Sequence, residues 1–118
     1  MTTVVNPGGS PTVVFNLSGI TVVSVATSAS PVAIPYYSGV IIALITTSAE
    51  EGDGEVILPS SAQVGDVVEI YNATPTVHAV NVDVPEGQSF LAGSVGTLSF
   101  AGYFRMLPGG SWGVIGLT

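Results

Sequence analysis

Lysine and cysteine are both absent from this 118-residue chain, which carries one arginine, Arg105, and one histidine, His78. Without cysteine, disulfides and thiolate metal sites are excluded. One cation stands against eight carboxylates, for a formal net charge of −7. Nucleic-acid binding rests on several cationic contacts to phosphate, so DNA and RNA are not expected partners. Anionic membrane surfaces are disfavoured for the same reason. Long apolar runs are missing too. The chain is 47% hydrophobic with a mean hydropathy of +0.64, yet its longest purely apolar stretch is Val40 to Ile45, far short of the roughly 20 residues of a spanning helix. The opening MTTVVNPGGSPT has no basic segment followed by an apolar one, as a secretory signal would. A soluble chain made inside a cell is expected. Only 8% of residues are charged, so much of the surface is expected to be covered by other subunits.

What the chain has in abundance is β-branched: 19 Val, 8 Ile and 11 Thr, interrupted by 15 Gly and 8 Pro. Branching at Cβ costs rotamer freedom in a helix and fits a pleated surface, while frequent Gly and Pro break long helices. The length suits one domain. An all-β fold follows, read as an antiparallel β-sandwich or small jelly-roll-like barrel built from short strands between turn signals.

Residues 1–39 contain no ionisable side chain. Their apolar patches, Val13-Val14-Phe15 and Ile20 to Val25, flank a Ser18-Gly19 turn signal. This segment is expected to be an extended apolar arm with one hairpin, ordered by packing on a partner; the alternative is that it supplies the first two strands of the sandwich. Residues 40–118 form the expected β-sandwich domain. Val40 to Ile45 is apolar on both faces, so a strand there needs cover on both sides, the second from another subunit. Glu55 to Tyr71 reads as a hairpin-like unit, with strands on either side of a polar loop and a Gly65-Asp66 turn. No internal repeat is read, which weighs against a fibre shaft.

Residues capable of chemistry are few. Glu50 to Glu55 gathers half of the carboxylates, and Gly52 and Gly54 mark it as a solvated turn; its alternative use, a Ca²⁺ site, lacks the spacing of a twelve-residue calcium loop. His78 shares the parity of Val80, Val82 and Val84 and has no nucleophile signature beside it. No catalytic, cofactor or metal residues are assigned, and an enzyme is not expected. The residues expected to make contacts are Val13, Val14 and Phe15, then Tyr36 and Tyr37, then Val40, Ile42 and Leu44, and finally Arg105. This last residue, between Tyr103 and Leu107, is placed to anchor an ion pair within the chain or between subunits. Trp112 and Val114 share a parity and are expected to close the core.

The pattern Leu58-Pro59, Val64-Gly65-Asp66, Val68-Glu69-Ile70-Tyr71-Asn72, Val80-Asn81-Val82, Gly87, Leu91-Ala92-Gly93, Leu98-Ser99, Ala101-Gly102, Phe104 and Trp112 resembles a small β-module of tailed-bacteriophage virion proteins. Such modules occur in capsid decoration (cement) proteins and in head or tail fibres, typically as trimers. The resemblance covers roughly residues 54–117 and leaves out the segment 1–39. It implies a non-enzymatic decoration protein on the capsid exterior, made in the host cytoplasm, whose partners are the major capsid protein and other copies of itself. Two further readings stand beside it. One is a fibre or spike component; the other is a carbohydrate-binding β-module using Tyr36, Tyr37, Tyr71, Tyr103 and Trp112, although core packing is the commoner use of such aromatics.

Overall fold

A computed structural model describes residues 11–27, 31–47, 53–75, 78–91 and 97–118. Among them are eleven strands and no helix: β1 (Thr12–Leu17), β2 (Ile20–Thr27), β3 (Val32–Ala33), β4 (Val40–Thr47), β5 (Gly54–Ile57), β6 (Val67–Asn72), β7 (Val80–Asp83), β8 (Ser89–Phe90), β9 (Thr97–Leu98), β10 (Ala101–Leu107) and β11 (Ser111–Leu117). The all-β expectation holds. A large sheet has the order β1-β2-β4-β6-β10-β11-β8 and a small one the order β3-β5-β7-β9.

From β2 to β7 the chain visits the two sheets alternately, and each return lands beside the strand laid down one turn earlier. β2, β4 and β6 are therefore parallel neighbours, as are β3, β5 and β7. This coiled, solenoid-like path corrects the expected antiparallel sandwich. Antiparallel pairing is confined to β1 on β2 at one end and to β6-β10-β11 and β7-β9 at the other. The hairpin expected over Glu55 to Tyr71 is likewise corrected. Both strands exist, but β5 lies in the small sheet and β6 in the large one, with residues 58–66 carrying the chain across a gap of about 10 Å between packed sheets.

The coil also contains a repeat, where none is expected from the sequence. Ile20 pairs with Val40, twenty residues on, and the match runs in register to Thr27 and Thr47. In the sequence, Gly19 and Gly39 precede the two strands, and Thr-Ser-Ala follows at both 27–29 and 47–49. The next turn is longer, Val40 pairing with Val67, because it contains the loop 58–66. That inserted length hides the period.

Alternation in these strands places Thr21, Val23, Val25 and Thr27 of β2, Ile41, Ala43, Ile45 and Thr47 of β4, and Val68, Ile70 and Asn72 of β6 on the buried side. They meet Val56, Leu58, Val80, Val82 and Leu98 from the small-sheet side, and Phe104, Met106 and Trp112 complete the core. Each fully buried aliphatic side chain contributes about 1.5–3 kcal/mol relative to exposure. Trp112 closes the core as expected, its Nε1 donating to Gln88 Oε1 at 2.8 Å while Gln88 Nε2 donates to the Ser60 carbonyl at 3.0 Å. Val114 does not join it and is 37% exposed. A bulge shifts the register of β11 against β10 between Tyr103 and Phe104, so strict alternation stops there.

Polar groups inside the coil are paired. Thr27 Oγ1 and Thr47 Oγ1 lie 2.9 Å apart, and the Thr47 amide donates to Thr74 Oγ1 at 3.1 Å, so the equivalent threonines of three successive turns form a ladder. A Cβ on Gly54 would collide with the Thr27 and Thr47 hydroxyls. Asn72 Nδ2 donates to the carbonyls of His78 (2.7 Å) and Ser99 (2.9 Å), and its Oδ1 accepts from the Thr74 amide at 3.0 Å. One buried amide thus ties β6 to the approaches of β7 and β10.

The boundary drawn at residue 39 is corrected as well. Residues 1–10 lie outside the described residues, but β1, β2 and β3 belong to the two sheets, and Val23, Val25 and Ile34 to the common core. The alternative reading of this segment, as the first strands of the sheets, is the one the fold follows. The reason is that β2 finds its hydrogen-bond partner in β4 and its apolar cover in the same chain. Deleting residues 1–39 is therefore expected to abolish cooperative unfolding in urea melts; an arm would be lost without that effect. A second expectation concerns Gly39, which has φ +94° and would place a Cβ against the Gly19 carbonyl of the preceding turn. Gly39→Ala should cost at least about 3 kcal/mol, against about 1–2 kcal/mol for Gly65→Ala, where φ is equally positive but the space is open. Urea midpoints of the two variants measure the difference.

Candidate interaction face

Outward-pointing residues of the large sheet form rows, because parallel in-register strands bring equivalent positions side by side. One row runs Leu17, Ile20, Val40, Val67, Arg105 across β1, β2, β4, β6 and β10. The next runs Phe15, Val22, Ile42, Glu69, Tyr103, and a third runs Thr12, Ser24, Leu44, Tyr71, Ala101. The face is predominantly apolar, and nothing in the chain's described residues covers its β1 side: Phe15 is 45%, Leu17 59% and Ile20 41% exposed.

The fold brings together five of the residues expected to make contacts: Phe15, Val40, Ile42, Leu44 and Arg105. It separates the other four. Val13 packs against the core, and a bulge between Val13 and Phe15 leaves Val14 exposed beside it. Tyr36 and Tyr37 pack at the margin of the core. Tyr36 donates its hydroxyl to Asp66 Oδ2 at 2.7 Å, and this bond to a carboxylate raises the phenol pKa. Sequence reasoning did not assign Leu17, Ile20, Val22, Val67 or Glu69 to a contact surface, and named Tyr71 and Tyr103 only for a carbohydrate site. The signal available was the alternation within Ile20 to Thr27, whose second face is also apolar.

Apart from Thr12 and Ser24, the polar residues of the face lie at its β6–β10 side. Tyr71 donates its hydroxyl to Glu69 Oε1 at 2.6 Å, and the rings of Tyr71 and Tyr103 meet edge to face with centroids 5.9 Å apart. The Tyr71 pKa is raised far above its ordinary 10.0, first by the bond to Glu69, then by the Tyr103 hydroxyl and by burial. Arg105 is exposed, and among the described residues no carboxylate oxygen lies within 4.0 Å of it. The intrachain ion pair expected as one of its uses is thus not formed by those residues.

The opposite surface differs in character. Over β5 and β7 of the small sheet, a cavity of about 200 Å³ is lined by Pro31, Glu55, Val56, Asn81, Val82 and Asp83. Of the acidic turn, Glu50, Glu51 and Gly52 lie outside the described residues. Asp53 Oδ1 accepts from the Ala79 amide at 3.3 Å and sits 3.8 Å from His78 Nδ1. His78 precedes β7 and is partly buried. Among the described residues no three His, Asp or Glu side chains gather into a metal-binding group. Of the aromatic residues named for a carbohydrate site, Trp112 is buried, Tyr36 and Tyr37 pack at the margin of the core, and Tyr71 and Tyr103 lie on the outer face of the large sheet.

Compared with known protein families the chain matches none, and no curated protein matches it either.

The Tyr71–Glu69 bond has a consequence in alkali. A phenol whose folded pKa is raised stabilises the fold fully below the unfolded value of 10.0, and that contribution is lost as pH rises through and beyond it. Stability of the wild type is expected to fall above about pH 10 more steeply than that of Tyr71→Phe. Urea melts on either side of that pH, with tyrosinate absorbance showing one late-titrating tyrosine fewer in the variant, check this.

Proposed function

We propose that this chain is a non-enzymatic structural protein of a phage virion: a homo-oligomeric decoration protein of the head that stabilises contacts between capsomers. The observation that carries the reading is the flat apolar face of the large sheet, formed by a chain with eight carboxylates and one cation. A contiguous apolar patch of several hundred Å² is of the kind that marks a protein interaction site. A structural role is also supported by the inventory of reactive groups, since one His, one Arg and no Cys or Lys leave carboxylates that lie mainly in turns and on the small sheet. The likeness of residues 54–117 to virion modules supplies the setting.

A second reading, a fibre or spike component, gains from the fold. Its main objection was the lack of a repeat, and the coil of β2, β4 and β6 repeats in register. Stacked turns of this kind extend by adding further turns.

Ile42 lies between Val22 and Glu69 in the middle of the face. Ile42→Lys places a charge there with a carboxylate on the adjoining strand to receive it, so the fold is kept. The variant is expected to lose assembly through this face and, with it, co-sedimentation with purified phage heads that bind the wild-type protein. Undiminished binding by the folded variant would sink this assignment of the face.

A further inference from the structure

We infer that the partner covering the outer face of the large sheet is a second copy of this chain, with Arg105 of each copy opposite Glu69 of the other. The inference rests on reading that face as an assembly surface, and it names the occupant.

Charge is the first reason. The face carries the chain's one arginine and one carboxylate, Glu69, and is otherwise uncharged. The other described carboxylates, Asp53, Glu55, Asp66, Asp83 and Glu86, lie in turns or on the small sheet. Two molecules of charge −7 repel when those regions approach each other. The large-sheet face is the neutral side from which copies meet without that cost. A complementary partner must present a cation and an anion at the same spacing within an apolar field. The face itself, turned over about a two-fold axis, presents them, and each arginine then meets a carboxylate it does not have within its own described residues.

Area is the second reason. Five strands about 4.8 Å apart, each exposing about 20 Å of length, give roughly 500 Å² per copy and about 1,000 Å² in a pair, which reaches the lower range of specific interfaces. Both surfaces are sheets, which pack face to face when their outward side chains interdigitate. The contact is then a second apolar layer on β4, whose Val40, Ile42 and Leu44 are only half-buried in the single chain.

The test uses the full chain alone, without particles, by light scattering and sedimentation equilibrium over a wide concentration range. Wild type is expected to associate, and Arg105→Glu to weaken association by at least about 10-fold. Glu69→Arg should weaken it similarly. Mixing the two single variants gives every charge an opposite partner across a two-fold contact, so association is expected to return in the mixture and in the double exchange within one chain. Circular dichroism verifies folding, and Arg105→Gln with its salt dependence replaces any variant that does not fold. A wild-type monomer at all concentrations would overturn the inference, as would association indifferent to these exchanges. The proposed function fails separately: a monomer that still binds heads leaves it intact, whereas an oligomer that binds no heads removes it and keeps the paired face.

Discussion

The in-register stacking of β2, β4 and β6 is the constraint on which the rest of the molecule depends. Parallel strands joined through a second sheet keep the same residue parity on every turn, so a choice of inside and outside made at Ile20 is inherited at Val40 and Val67. Inner rows of Val, Ile and Ala become the core. Outer rows become a flat face. The threonine ladder at the end of these strands and the approach of Gly39 to the Gly19 carbonyl are consequences of the same stacking, since equivalent positions must fit on top of one another.

A coil of this kind leaves two open ends, and the chain closes them differently. At the first, β1 folds back on β2 as an antiparallel strand, interrupted by a bulge of the sort that discourages further pairing at a sheet edge. At the second, β10 and β11 form a long antiparallel pair beside β6, with Trp112 driven into the core and its indole N–H met by Gln88. The switch from parallel to antiparallel pairing ends the coil without leaving buried polar groups unpaired among the described side chains.

Charge is distributed unequally over the two sheets. Of the described carboxylates all but Glu69 lie in turns or on the small sheet, where they hold water and repel other acidic particles, while the large sheet's outer side is close to neutral. That asymmetry between the two sheets is a matter of surface chemistry, set by which side chains the fold turns outward on each sheet.

Much of this was legible from residue types. The wealth of Val, Ile and Thr with frequent Gly and Pro determined an all-β fold, and alternation determined which residues of β2, β4 and β6 are buried. These are local properties, fixed by Cβ branching and strand pleat. Pairing was not legible. Whether β5 turns back on β6 or crosses to the other sheet depends on long-range hydrogen bonding that alternation does not encode, and the inserted loop 58–66 broke the twenty-residue period before a third copy could reveal it. Hence the arm and the hairpin were read where the structure has coils. Of the residues expected to make contacts, those with outward parity on strands of the large sheet came together. Val13, Val14, Tyr36 and Tyr37 did not, because a bulge and the margin of the core, features of tertiary packing alone, decided where they lie.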